Sequence, residues 1–160
     1  MTIIYTEMVR IYIDKKDICM LSSEDKKEAI KELTGKASTF SSIDNISGFQ
    51  NEVISREMKM STGIGKGIAV AHGEYDSRDG IKIALGISEK GIEFDSIDHK
   101  PVHFMFLIAS PREAWTDYLN ILSSIVRMVK NEGIRRSMMS QYNPRFIQSF
   151  INSHLSYERS

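Results

Sequence analysis

The sequence predicts a layered α/β domain, and two observations carry that prediction. Residues 102–109, VHFMFLIA, form a nearly continuous apolar run. A run of that length and composition reads as a strand buried on both faces, which needs helices above and below it. Around it, short β-type runs are mixed with segments whose apolar residues recur at helical spacing, the pattern of a sheet packed against helices. The chain has 160 residues, so residues 1–160 are expected to form one domain. A chain of this size buries roughly 70% of its unfolded surface, enough for an ordinary core.

The elements follow in order. Residues 9–13 alternate weakly and carry β-branched side chains, which predicts an edge strand. Ser22 or Ser23 then starts a helix, with Ser22 and Asp25 spaced as in a capping box. That helix runs through Ala29, Ile30 and Leu33 and is expected to stop near Gly35. Residues 38–48, STFSSIDNISG, read as a polar loop between helices. Ser47 opens the next helix, with Gln50 at the reciprocal capping position and Arg56 near the C-terminal end.

Gly63, Gly65 and Gly67 disfavour continuation of that helix. Residues 68–71 then make a short buried strand that ends at His72-Gly73, and residues 81–87 read as another strand. Residues 91–100 are a turn-rich excursion anchored by Phe94. Pro111 ends the central run, and Trp115, Tyr118, Leu119, Leu122, Ile125, Val126 and Val129 mark a long helix. Residues 132–142 predict a short helix. Asn143-Pro144 supplies a cap and a first-turn proline for a last helix with Phe146, Ile147, Phe150, Ile151 and Leu155 on its apolar face.

Composition excludes several functions. Lys+Arg and Asp+Glu both number 21, so the net charge is zero. The basic excess that normally marks nucleic-acid binding is missing, and nothing points to an acidic lipid surface. No window approaches 18 apolar residues and the N-terminus lacks a signal layout, so a cytoplasmic protein without direct membrane insertion is expected. Cys19 stands alone in an apolar run and is expected to be an inert packed thiol.

The densest chemistry lies in residues 56–73, REMKMSTGIGKGIAVAHG. A histidine at a strand end between small residues is expected to be held on one side and exposed on the other. Its neutral ring is nucleophilic near pH 7, because the reference pKa is about 6.5. Metal binding would need three or four ligands at workable spacing. The other histidines are His99, His103 and His154, and Pro101 argues against a helix that would put His99 and His103 on one face. His99 reads as exposed in its DHKP turn, and His103 as a satisfied core residue. No GxSxG elbow supports acyl transfer. Phosphoryl transfer needs an attacking atom, dipoles and usually a cation. His72, the glycine-rich approach and the planar fork of Arg56 combine those parts, although STGIGKG is no nucleotide P-loop.

Arg56-Glu57, Ser61-Thr62-Gly63-Ile64-Gly65, Gly67-Ile68-Ala69-Val70 and His72-Gly73 together resemble the signature of enzyme IIA domains of the fructose/mannitol class. These belong to the bacterial phosphoenolpyruvate:sugar phosphotransferase system, and the nitrogen-regulatory branch shares the signature. GIEFD at 91–95, Pro101-Val102 with FMFLIASP, and YLNIL at 118–122 extend the resemblance over essentially the whole chain. It implies a mixed sheet between helices and a histidine phosphocarrier without cofactor or metal. His72 would accept phosphate from the phosphocarrier HPr and relay it to an enzyme IIB partner or use it as a signal. Arg56 would contact the phosphoryl group, and Thr62 is a further candidate lining the site.

Two positions depart from the family. Ala71 stands where a proline usually precedes the active histidine, and Tyr118 stands where a second histidine is common. A phenol donates one hydrogen bond but stays neutral near pH 7. Losing a charge-assisted bond there is worth about 1.5–3 kcal/mol. Because the chain carries no IIB, IIC or regulator segment, a nitrogen-regulatory role is expected, with a separate IIA feeding a permease as competitor. The alternative from another class is a regulatory protein-binding module with a degenerate phosphorylation site.

Overall fold

The computed structural model describes residues 6–76 and 79–159. In chain order the elements are β1 (Glu7–Arg10), β2 (Ile18–Met20), α1 (Lys26–Lys36), α2 (Ile46–Lys59), β3 (Gly63–Gly65), β4 (Ile68–Glu74), β5 (Lys82–Ile92), β6 (Val102–Ser110), α3 (Trp115–Lys130), α4 (Glu132–Ser140), α5 (Pro144–Asn152) and β7 (Ser156–Arg159). Five strands form one mixed sheet in the order β2-β5-β6-β4-β3. The apolar run β6 is its central strand, antiparallel to β5 and parallel to β4.

Alternation along the strands sends side chains into two cores. Ile68, Val70, Phe104, Phe106 and Ile108 pack with α3, α4 and α5. Ala69, Ala71, Met105, Leu107 and Ala109 pack with α1 and α2. Small residues line the second face of β4, so α2 sits close to it. A Cβ on Gly73 would lie 2.7 Å from both Phe49 Cε2 and Val53 Cγ2 of α2. Gly73→Ala is therefore expected to push α2 outward and destabilise the fold by about 1–3 kcal/mol, measured by urea unfolding.

Local reading and structure differ where side chains had rival partners. Asp25, not Ser22 or Ser23, caps α1, accepting from the Lys27 and Glu28 N–H groups. Both serines bind Glu32 through backbone N–H and hydroxyl groups, and with Lys36 they outweigh burial and hold its carboxyl down at about 2. Gly35 lies inside α1, whose last residue is Lys36. Asn45 caps α2 in place of Ser47, while Gln50 reaches the Thr34 hydroxyl at 2.6 Å. The predicted loop after α1 contains a 3₁₀ turn at Ser38–Ser42 with Phe40 buried.

The expected strand at 9–13 is Glu7–Arg10. It belongs not to the main sheet but to a two-stranded sheet with β7, an element the periodicity did not reveal. Four residues beside a helix end show no period of their own. Strand β5 extends past residue 87 to Ile92 through a register shift. Phe94 is fully buried, as expected of an anchor. The cap at Asn143 with Pro144 in the first turn also forms as read. Leu155 lies beyond α5 but remains buried. Among the described residues, no helix is long and apolar enough to cross a membrane.

Candidate functional site

β4 runs on past residue 71, so His72 is inside the strand and not at its end. It shares the face of Ile68 and Val70, and only 5% of its surface is exposed. The expectation of a half-exposed ring fails because α3 lies over it. Tyr118 on α3 stacks on the imidazole with ring centroids 3.8 Å apart and planes 15° from parallel. Trp115, one turn earlier, leans over the same ring at 6.5 Å and is 48% exposed, so it forms the outer rim.

Both ring nitrogens are engaged. Nε2 lies 2.7 Å from the Ser110 hydroxyl, and Nδ1 lies 3.3 Å from Arg56 Nη1. A guanidinium only donates, so Nδ1 accepts from it and the neutral ring carries its proton on Nε2, which donates to Ser110. Burial first, and the Arg56 charge second, push the His72 pKa down to about 4. The ring is thus neutral near pH 7, with its lone pair on the side where Arg56 reaches in.

Arg56 comes from the other face of the sheet. The paired registers of β3 and β4 stop at Gly63↔Ala69, so among the described residues the outer edge of β4 is open beside His72, while its inner edge pairs with β6. The end of α2, seated close by Gly73, reaches across that open edge. Its guanidinium also bonds Glu52 at 3.1 Å and Glu74 at 3.5 Å, and Arg112 holds the other oxygen of Glu74. These partly exposed pairs orient the fork but each is worth no more than about 1 kcal/mol.

Thr62 sits differently from the expectation. Its hydroxyl and N–H both donate to Glu57, a carboxylate buried at the end of α2, which Lys26 also approaches at 3.7 Å. Burial raises the Glu57 pKa, opposed by the Thr62 bonds and the Lys26 charge. Thr62 therefore ties α2 to the strand that precedes the hairpin and does not offer its hydroxyl to His72.

Tyr118 and His72 are brought together, with Arg56 completing the group. The Tyr118 hydroxyl pKa is raised by burial, with Arg56 opposing, so the phenol stays neutral. Ser110 was missed by the sequence reading. Its only signal is its place as the polar residue closing a buried strand before Pro111. His103 donates from Nδ1 to the Ser88 carbonyl at 2.8 Å, as a satisfied histidine should. His99 is exposed in its turn. Cys19 is half-buried and its thiol pKa is raised by burial, in keeping with an unreactive thiol.

Ser110→Ala would leave the buried Nε2–H without its acceptor. The expected loss is about 1–3 kcal/mol in urea unfolding, together with a mixed tautomer in imidazole 15N shifts. Ser110→Thr should restore both.

Comparison with known proteins places the chain in a family. A fructose-specific EIIABC component of the phosphotransferase system from Bacillus subtilis is 29% identical over 134 residues, 84% of this chain and 21% of that protein. The chain thus spans about a fifth of that relative's length. A nitrogen regulatory protein from Bradyrhizobium diazoefficiens is 28% identical over 131 residues, 82% of this chain and 85% of that protein. The crystal structure of nitrogen regulatory protein IIA-Ntr from Neisseria meningitidis superposes with a TM-score of 0.77 at 24% identity, covering 86% of this chain and 94% of that one, and shares the fold. The family model of the phosphoenolpyruvate-dependent sugar phosphotransferase system, EIIA 2, matches residues 11–154. That span holds Arg56, His72, Ser110 and Tyr118, and the chain belongs to this EIIA 2 family of phosphotransferase components.

Proposed function

We propose that the chain works as one EIIA-type phosphocarrier unit, with His72 as its phosphorylated residue. The observation that carries this reading is a neutral, buried imidazole whose lone pair meets a guanidinium. A phosphohistidine on HPr is the donor. The unprotonated nitrogen of His72 attacks phosphorus in line. One N–P bond forms as the donor's N–P bond breaks, and the donor imidazole leaves with the electron pair.

No base is needed, because the attacking nitrogen carries no proton. Ser110 keeps the proton of the other nitrogen, and Tyr118 holds the ring plane. Arg56 turns its fork from the lone pair to the equatorial oxygens, where charge is concentrated in the transition state. Glu52 and Glu74 repel the arriving phosphate and hold Arg56 between turnovers. Tyr118 cannot add the positive charge that a second imidazole would supply, which favours a slower relay.

Phosphorylation by phosphoenolpyruvate, enzyme I and HPr tests this, with wild type beside His72→Ala. Acid-labile, base-stable phosphate on wild type alone, read by intact mass, is expected. Phosphate on neither, with an HPr that works on a control IIA, or phosphate on both, would overturn the assignment.

The second reading is a regulatory module whose partner senses the state of His72 or binds regardless of it. The exposed side chains of Trp115, Leu119, Met58 and Met60 support it, because adaptable methionines and aromatics suit protein docking. Transfer from phosphorylated chain to an enzyme IIB would favour relay instead. A partner retained by His72→Ala would favour the phosphate-independent module.

A further inference from the structure

At the end of the sheet opposite His72 lies a second cavity, of about 560 Å³, between the β3–β4 hairpin, the start of β6 and α4. Ile68 pairs with Phe104 there, while His72 pairs with Ile108. Four residues of strand separate the two sites, about 13 Å.

The lining holds four cations, Lys66, Lys100, Arg135 and Arg136, and no carboxylate. In a chain of zero net charge this is a local concentration. Arg136 pairs with Glu132 at 2.6 Å, and Arg135 donates to the Val129 carbonyl at 3.0 Å. The Asp98 carboxylate, outside the lining, accepts the backbone N–H groups of Lys66 and Lys100. The ammonium groups of Lys66 and Lys100 form no ion pair with a carboxylate among the described residues.

The floor is apolar and aromatic. Tyr142 and His103 pack with centroids 5.6 Å apart beside the Met139 thioether. The His103 Nδ1 bond to the Ser88 carbonyl fixes the ring against the cavity. Gly67 has φ +82°, and a Cβ there would lie 2.6 Å from Met139 Cε, so the hairpin backbone itself walls the cavity.

A carboxylate needs one cationic partner, whereas the two ammonium groups of Lys66 and Lys100 beside two arginines, one of them already paired with Glu132, suit a dianionic phosphate, for which the arginine fork is matched. An aromatic and thioether floor suits a flat ring. The volume lies in the range of small-molecule sites. We propose that this cavity binds a small phosphorylated molecule carrying an aromatic ring, of nucleotide size, at a site separate from His72.

Backbone amide NMR of the full chain, titrated with AMP, adenosine or inorganic phosphate, tests this. AMP is expected to shift Gly67, His103 and Met139 saturably, with a Kd at least about tenfold below that of adenosine or phosphate. Lys66→Gln/Lys100→Gln changes two exposed residues and should weaken AMP by about tenfold or more. His72→Gln should bind AMP as wild type does. The proposal falls if AMP gives no saturable shift at this cluster up to about 10 mM, far above useful affinity. It falls equally if adenosine binds as well as AMP, marking a plain apolar groove, or if phosphate does, marking a plain ion patch. Shifts centred on His72 and Arg56 would also overturn it.

Discussion

Arg56→Gln is expected to slow phosphorylation of His72 by about 10²–10³-fold, the usual effect of removing one preorganised donor from developing charge. Stability should hardly change. The pairs of Arg56 with Glu52 and Glu74 are partly exposed, and such pairs contribute about 1 kcal/mol or less. A large rate effect with a small shift in urea midpoint separates a charge-stabilising role from a structural one. Arg56→Lys should fall between, because it keeps the charge but loses the planar fork that can bridge two phosphate oxygens. A wild-type rate in Arg56→Gln, measured with phosphorylated HPr in single turnover, would remove Arg56 from the mechanism. The same variant should also let the His72 pKa rise, since the Arg56 charge helps hold it down.

The second large effect is on acid stability. The unfolded chain binds a proton on His72 near pH 6.5, whereas the folded ring, buried first and facing Arg56 second, binds it only at about 4. Between these values the unfolded state holds more protons, so acid favours unfolding. The stability is intact above about pH 6.5 and is lost as pH falls towards 4, by on the order of 3 kcal/mol. Glu57 has the opposite sign: its raised pKa makes it a group whose ionisation disfavours the fold as pH rises. His72→Gln should flatten the acid limb of urea unfolding measured from pH 7 to 4, and wild-type imidazole NMR should titrate His72 near 4. A His72 titration near 6.5 would sink both the buried geometry and this pH dependence. The same low pKa keeps the proposed nucleophile unprotonated through mildly acidic conditions, where an exposed histidine would lose most of its reactivity.

Much of the fold was legible because strong periods leave little choice. The apolar run at β6 could only be a strand covered on both sides, and the stripe from Trp115 to Val129 could only be an amphipathic helix. The cap at Asn143-Pro144 was legible because, among the described residues, the Asn143 side chain bonds only the first-turn N–H groups of Arg145 and Phe146. Where competition exists, local reading failed. Ser22 and Ser23 have good capping chemistry, but Glu32, ten and nine residues on, takes them both.

For the site, chemistry was readable and geometry was not. His72, Arg56 and Tyr118 carry the right groups, and the resemblance in sequence pointed to their places in the chain. The sequence alone determined most of the longer elements, their apolar faces and the inventory of reactive groups, because propensity, period and side-chain chemistry are local properties. The tertiary structure alone decided that His72 is buried, that Tyr118 lies flat on it, that Ser110 holds its proton and that Thr62 turns to Glu57. Each of those contacts joins residues through sheet register and layer packing. A one-residue change in register turns a side chain to the opposite face of the sheet, so no reading of neighbours along the chain could have placed them.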